Sequence, residues 1–424
     1  MKKLAFIPIA FLLAFLFSTA CSDYSYPSYK WNLSTIYNPL RTNLHPIYKV
    51  YHNNNKTSVL FLKIRTTELF FREGAIDNQK SCSFSIKYFL QEIGDEGNFI
   101  ADSNTYVYEM RQKDVNKYYI SQIPIKAQKG KSYRLKITLT DHYRNVYAIK
   151  YLEVEKRTSI GEQYFNVTTM NGTPLFKNVL INNGVFRINH ESPPADSLYI
   201  AYYSNNFHTP QPLLASPSDN MRFRKHDSLF KVKYTPNMAF TLDYEGVYYV
   251  RFDTTSSHGI SILKLNEDFP KTKEPEGLIP PLKYITSDAE FDALNLTTEP
   301  KKTADKFWVK TGGNIPKGRE LIRLFYNRVY FSNYYFTNTS PGWMTDRGMI
   351  YVVYGPPHRI KKDAHSETWI YERKSDSDLI EFTFNYQPNQ YALNNYILDR
   401  SNSHTWHWAE AVYAWTSGDI FLYD

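Results

Sequence analysis

Few residues in the chain have the types and spacing that catalysis or metal binding requires, and they lie near its C-terminus. Asp346 and Arg347 form an adjacent acid–cation pair, which together with His358 could serve a hydrolase as acid, cation and base. His404 and His407 have His-x-x-His spacing, but two histidines alone are a weak metal signature, so we predict no metal site. Without a G-x-S-x-G elbow, a phosphate-binding glycine loop or a dinucleotide fingerprint, we expect no cofactor and no catalytic residue, and hence no enzyme.

The amino terminus has the layout of an exported protein. Lys2 and Lys3 precede an unbroken apolar run at 4–17, and small residues lead into Cys21. The arrangement resembles a bacterial lipobox, so we predict a signal peptide at 1–20, a lipid on Cys21 and a polar tether at 21–30. Ser18 stands where leucine is commonest, which leaves plain secretion as the alternative. The expected location is the outer membrane, on the periplasmic face or at the cell surface.

Charge and cysteine content narrow the classes of partner. The formal net charge is +8 over 424 residues, and it falls to +6 once Lys2 and Lys3 are removed with the signal peptide. No dense basic patch stands out, so a nucleic-acid partner is not expected. If Cys21 carries the lipid, Cys82 has no partner for a disulfide, and its place in an apolar–polar alternation predicts the buried face of a strand.

The first two-thirds of the chain read as strands. The segment 133–140 alternates apolar and polar residues, as a half-buried strand does. Asn171-Gly172 and Asn183-Gly184 predict hairpin turns. Short strands at regular spacing predict two tandem immunoglobulin-like β-sandwich modules, at 31–156 and 157–265.

The remainder has a different pattern. A segment with several prolines at 266–282 predicts a linker. Beyond it, 283–424 predicts an α+β domain with helices near 288–295, 304–309 and 318–336. The first of these helices has a capping box, Ser287 followed three residues later by Glu290. Strands are predicted to return at 349–354, 368–371, 379–384 and 391–398.

One run between the longest predicted helix and the 349–354 segment is dense in turn-forming and charged residues. Glycines permit backbone angles that other residues resist, Thr345 or Asp346 can accept backbone N–H bonds, and Arg347 can fork onto a carboxylate. A well-determined structural corner is the favoured interpretation, ahead of a ligand or partner site and of catalysis. The residues that carry the pattern are Gly342, Trp343, Thr345, Asp346, Arg347, Gly348, Tyr354, Gly355, Pro356 and Pro357.

This run resembles the signature of the GWxTD domain family, and the resemblance covers roughly residues 275–400. The family is common on exported proteins of Bacteroidota and related bacteria, so the resemblance implies an exported bacterial protein. It implies no particular reaction. His358 departs from the acidic residue that often follows the Gly-Pro-Pro of the family.

The expected function is non-enzymatic: a lipid-anchored envelope protein whose β-sandwiches project the α+β domain toward other envelope proteins. The tyrosine-rich composition keeps open a binding protein for glycans or peptidoglycan fragments, and Asp346, Arg347 and His358 keep open a hydrolase. In a Bacteroidota host, Ser197, Ser228 and Thr254 would also resemble O-glycosylation acceptors, because each follows an aspartate.

Overall fold

The computed structural model of the chain describes thirteen stretches of sequence, and the statements below concern these residues. The signal peptide, Cys21 and the tether predicted at 21–30 lie outside them, as does His404. The described ranges are 33–39, 43–73, 79–93, 99–112, 116–157, 161–181, 184–204, 209–213, 225–255, 258–363, 365–372, 379–400 and 405–421.

The N-terminal module is a sandwich of two sheets that share one apolar core. One sheet has the order β1 (Ile47–Tyr51), β2 (Ser58–Arg65), β6 (Tyr118–Ile125). The other consists of β3 (Arg72–Glu73), β4 (Lys80–Ile93), β5 (Phe99–Arg111), β7 (Ser132–Asp141) and β8 (Val146–Glu155). Alternate residues of β7 are buried, as the apolar–polar pattern predicts, and Cys82 of β4 lies in the core.

The second module is also a two-sheet sandwich. Its larger sheet has the order β10 (Val179–Ile181), β16 (Ile260–Leu265), β15 (Gly246–Arg251), β12 (Ser197–Ser204), β13 (Ser228–Lys233). Its smaller sheet has the order β14 (Ala239–Phe240), β11 (Phe186–His190), β9 (Phe165–Thr169).

Only one of the two predicted Asn-Gly hairpins forms. Gly172 adopts a positive φ of 82° and its N–H donates to Thr169 O, so the chain turns tightly here. At Asn183-Gly184 the prediction is wrong, because β10 pairs with β16 in the larger sheet while β11 pairs with β9 in the smaller one. Asn183 lies outside the described residues; Gly184 lies on the connection between the two sheets, which local sequence does not distinguish from a hairpin.

The C-terminal module is α+β, which confirms the predicted fold class of β-rich modules followed by a mixed domain. It contains α1 (Asp288–Asn295), α2 (Pro300–Gly312), α3 (Ile315–Phe336), α4 (Asp346–Tyr354) and α5 (Thr405–Thr416). Its antiparallel sheet has the order β17 (Arg359–Lys362), β18 (Ser366–Glu372), β19 (Leu379–Tyr386), β20 (Tyr396–Leu398). Ser287 caps α1 as predicted, accepting a hydrogen bond from Glu290 N.

The strand predicted at 349–354 is wrong, because this segment belongs to helix α4. Every residue of α4 is buried, so the segment shows none of the amphipathic spacing that marks a surface helix. A short apolar run of this kind does not reveal its own period. The distinguishing feature lies upstream, where Thr345 caps the helix and accepts a hydrogen bond from Gly348 N.

The segment predicted as a linker is packed rather than suspended between modules. Its 3-10 turns at Pro275–Leu278 and Pro280–Tyr284 bring Ile279 and Leu282 into the core of the C-terminal module. The Asn333 amide of α3 donates to Pro270 O at 3.0 Å. The second sandwich is therefore joined to the α+β module through an ordered segment.

Candidate functional site

Two glycines allow the backbones of α3 and α4 to approach each other through the turn Gly342–Met344. A Cβ added to Gly342 would overlap Ser332 O and lie 2.8 Å from Asn333 Cα. A Cβ added to Gly348 would overlap Gly342 O and lie 2.8 Å from Trp343 Cα. These positions require glycine because of close backbone approach.

Thr345 and Trp343 fix the turn between those glycines. The Thr345 hydroxyl donates to Gly342 O at 2.7 Å and accepts from Gly348 N at 3.1 Å, so one side chain closes the turn and starts α4. Trp343 lies with its ring centroid 6.0 Å from that of Tyr284, and its carbonyl accepts the Tyr284 hydroxyl at 2.9 Å. The tryptophan thus docks the turn against the segment that precedes α1.

Asp346 joins the start of α4 to the end of the sheet. Its carboxylate accepts Leu398 N at 2.8 Å and both terminal nitrogens of Arg400, at 2.6 and 3.2 Å. Arg400 Nη2 also donates to Gln211 O at 3.3 Å, a residue between strands of the second sandwich. The Asp346 carboxylate is therefore occupied by internal partners, with its side chain 8% exposed.

Arg347 is buried, and its guanidinium does not make the predicted fork onto a carboxylate. Its Nη2 donates to Asn394, at 3.0 Å to the side-chain oxygen and 3.4 Å to the backbone oxygen. Among the described residues the carboxylate that it approaches is that of Glu367, with Nη1 3.7 Å from Oε2. The guanidinium carbon lies 4.1 Å from the ring centroid of Tyr396, so stacking replaces bidentate pairing.

Glu367 is the acidic centre of this region, a role that no pattern in the sequence indicated. Its carboxylate accepts Trp369 Nε1 at 2.7 Å and pairs with Lys362 Nζ at 3.0 Å. Burial would raise the pKa of Glu367, but the charges of Lys362 and Arg347 and the Trp369 hydrogen bond outweigh it and lower the pKa to about 2. The carboxylate is therefore a buried, ionised anchor.

The end of α4 is held by an arginine that acts on backbone carbonyls. Arg328 of α3 donates to Val353 O at 2.7 Å and to Phe421 O at 3.1 Å. A cation at a helix C-terminus also complements the helix dipole. Gly355 has a positive φ of 82°, and a Cβ added to it would lie 3.0 Å from the carbon of this guanidinium. No local pattern in the sequence indicated this role for Arg328.

Tyr354, Pro356 and Pro357 complete the exit from the helix. The Tyr354 ring packs against those of Tyr371, Phe382, Trp408 and Phe421. The two prolines follow directly, so they end a helix rather than the predicted strand; proline has no N–H to continue the helix.

An N-terminal residue that the sequence did not single out completes the C-terminal core. Tyr37, just after the turn at Leu33–Ile36, packs its ring 4.9 Å from that of Phe336. Its hydroxyl donates to Glu367 Oε2 at 3.3 Å, and its carbonyl accepts the Tyr351 hydroxyl at 2.9 Å. A tyrosine before the first strand thus belongs to the same buried network as Arg347.

The other residues that the sequence suggested for catalysis or modification lie elsewhere in the fold, each in its own surroundings. His358 Nδ1 accepts Glu372 N at 2.9 Å, a bond between strands rather than an approach to Asp346. Burial raises the pKa of the Cys82 thiol to about 11, which disfavours the thiolate. Ser197 lies on the interior strand β12, Ser228 lies on the edge strand β13, and Thr254 lies in an exposed bend, so O-glycosylation there stays a prediction.

The described residues provide neither a metal-binding cluster nor a helix that could cross a membrane. They contain no cluster of three or more histidine, cysteine, aspartate or glutamate side chains suited to hold a metal ion. Within the same stretches, no helix has both the length and the apolarity needed to span a bilayer.

These features define a three-module protein in which the glycine-rich corner and its charged residues are built into the core of an α+β module. Residues 246–417 match the family model of the GWxTD domain, so the chain contains a GWxTD domain. The match extends beyond the motif on both sides and begins at β15 of the second sandwich. No curated protein matches the chain.

Proposed function

We propose that the protein is a lipid-anchored, non-enzymatic component of the bacterial cell envelope, which acts by holding or contacting other envelope proteins. The observation that supports a non-enzymatic role is that the polar side chains of the motif bind other groups of the protein. Asp346, Arg347 and Thr345 all bind groups of this same chain. A catalytic acid or cation has to reach a substrate in hydrogen-bonding range, and these groups are already taken.

The position of Tyr37 changes the expected arrangement relative to the membrane. The stretch of chain from Cys21 to Leu33 can span at most about 40 Å even when fully extended. Because Tyr37 is fixed in the C-terminal core, the α+β module would be tied close to the lipid instead of projected away from it. In this proposal the β-sandwiches stand beside the module, and partners at the membrane surface are the ones within reach.

The anchor is tested by labelling cells with a fatty-acid analogue. We expect the label on the wild-type chain and on Cys82→Ser, in which Cys21 is the only cysteine. We expect no label on Cys21→Ser. Label that persists in Cys21→Ser, or a wild-type chain that fractionates as a soluble protein, would overturn the anchored location.

The interaction role is tested by photo-crosslinking in living cells. Photoreactive residues placed at Trp406 and Tyr413, which are 76% and 73% exposed on α5, would report neighbours of the C-terminal module. The same residue placed at Tyr244 of the second sandwich, 68% exposed, is the matched control. We expect discrete adducts with outer-membrane proteins from α5. Recovery of an uncrosslinked monomer from every position would contradict the proposal.

A further inference from the structure

A cavity of about 870 Å³ lies where the three modules meet. The N-terminal sandwich contributes Lys49 and Lys150 to its wall, and the second sandwich contributes Lys177. The C-terminal module contributes Tyr334 and Lys362. Its volume lies within the range of known small-molecule sites, roughly 300–1,000 Å³, which also favour domain interfaces.

Lys150, Lys177 and Lys362 come from the three modules, and the charge of Lys150 acts on Lys177 while the charge of Lys362 acts on Lys150. The Lys177 ammonium donates to Tyr334 O and lies 4.1 Å from the centroid of the Tyr334 ring. Lys362 pairs with Glu367 at 3.0 Å. Lys150, half-buried on β8, has no hydrogen bond or ion pair from its ammonium to any residue the structure describes.

The acidic groups near these lysines are already committed. Glu367 is shared by Lys362, Arg347 and the Trp369 indole. Glu162 accepts the Asn178 amide at 2.9 Å and lies beside Lys49. Three other acids that line the cavity also have partners, since Glu153 pairs with Arg134, Glu155 with Arg157, and Asp363 accepts the Ser366 hydroxyl. Glu367 exerts a favourable charge on Lys150, but among the described residues neither Lys150 nor Lys177 forms an ion pair with a carboxylate.

Burial and neighbouring positive charge lower the pKa of both lysines. Burial and the neighbouring charge of Lys150 lower the pKa of Lys177 to about 7. Burial, followed by the charge of Lys362, lowers the pKa of Lys150 to about 8. A bound anion between them would favour the charged form of both, because an opposite charge at short range offsets desolvation.

We propose that this cavity binds a small anionic molecule, whose carboxylate or phosphate group is held between Lys150 and Lys177. The remainder of the ligand would contact the aromatic walls formed by Tyr334, Tyr391 and Tyr396. Tyrosine rings offer both an apolar face and a hydroxyl, which suits the ring of an acidic sugar. Recognition by two ammonium groups does not by itself distinguish a carboxylate from a phosphate.

The test is calorimetric titration of the full-length chain in mild detergent with inorganic phosphate, with galacturonate and with uncharged galactose. The variants are Lys150→Met and Lys177→Met. The matched control is Lys233→Met, which removes an equal charge from an exposed position on β13 outside the cavity wall. We expect at least one anion to bind wild type and Lys233→Met alike, and each cavity variant to lose about tenfold or more in affinity.

The response to the two anions distinguishes a phosphorylated ligand from an acidic sugar. Binding of phosphate alone indicates a phosphorylated ligand, and binding of galacturonate without galactose indicates an acidic sugar. No binding by either anion, or binding equal in all variants, overturns the proposal.

A second measurement uses wild type alone, in case a variant fails to fold. An amine-reactive anhydride should modify Lys177 more slowly when the binding anion is present, with Lys233 as the internal reference. Protection of Lys177 but not Lys233 supports the site, and equal modification of both with and without the anion refutes it.

Discussion

Replacement of Gly348 by alanine should destabilise the C-terminal module, although it puts a better helix former into a helix. In an unconstrained helix interior, glycine to alanine gains about 0.5–1 kcal/mol. At Gly348 the new Cβ would overlap Gly342 O and come within 2.7 Å of its carbonyl carbon. Overpacking of this kind costs about 1–3 kcal/mol, and displacement of the Thr345 cap adds about 1 kcal/mol. The two costs outweigh the gain, so we expect a net loss of about 1–3.5 kcal/mol.

Urea unfolding followed by tryptophan fluorescence measures this loss. Among the described residues four tryptophans are fully buried, all lie in the C-terminal module, and they report on it: Trp308, Trp369, Trp408 and Trp415. Gly184→Ala is the control, since its Cβ would meet nothing within 4 Å, and should change stability by less than about 0.5 kcal/mol. A Gly348→Ala protein as stable as wild type, or more stable, would refute the close-approach argument.

Three further predictions concern the buried network and the lone core thiol. Tyr37→Ala should cost about 3 kcal/mol in the same urea assay, as a buried aromatic does when truncated, whereas Tyr244→Ala, at a 68% exposed position, should be nearly neutral. The carboxylate of Glu367, with a pKa lowered from an ordinary 4.5 to about 2, contributes stability that is fully present above pH 4.5 and is lost as pH falls toward 2. Glu367→Gln should therefore flatten the acid limb of the stability curve, and an unchanged limb would contradict the pairing with Lys362. In a Cys21→Ser background, Cys82 should react with a thiol reagent at neutral pH only when urea unfolds the chain, which a chromogenic disulfide can follow.

Local patterns in the sequence predicted those elements whose two faces differ. Helix α3 was predictable because Leu321, Phe325, Val329 and Phe336 recur at helical spacing and are all buried. Strand β7 was predictable because apolar residues alternate with polar ones along it, and the apolar ones are buried. Helix α4 was not, because it is buried on every side and its apolar run carries no period.

The candidate site was predictable as a corner but not in its partners. The glycines and Thr345 act through neighbours close in sequence, so their roles follow from local chemistry. Asp346 acts on Arg400 and Arg347 on Asn394, and such long-range pairs depend on how the sheet returns to the helix. Tyr37 lies farther still from its partners along the chain, and no local pattern distinguishes a tyrosine of the tether from one of the core.

The charged residues of the GWxTD motif, Asp346 and Arg347, form their hydrogen bonds with other groups of the same chain. A double-mutant cycle on Asp346→Asn and Arg400→Gln tests it most directly, because the carboxylate is 8% and the guanidinium 23% exposed and the two meet at 2.6 Å. We expect a coupling energy of about 1–3 kcal/mol in the urea unfolding of the C-terminal module, as for contacting residues of one buried network. Coupling below about 0.5 kcal/mol, the level of independent sites, would contradict the claim and leave Asp346 available for a ligand, a partner or a reaction.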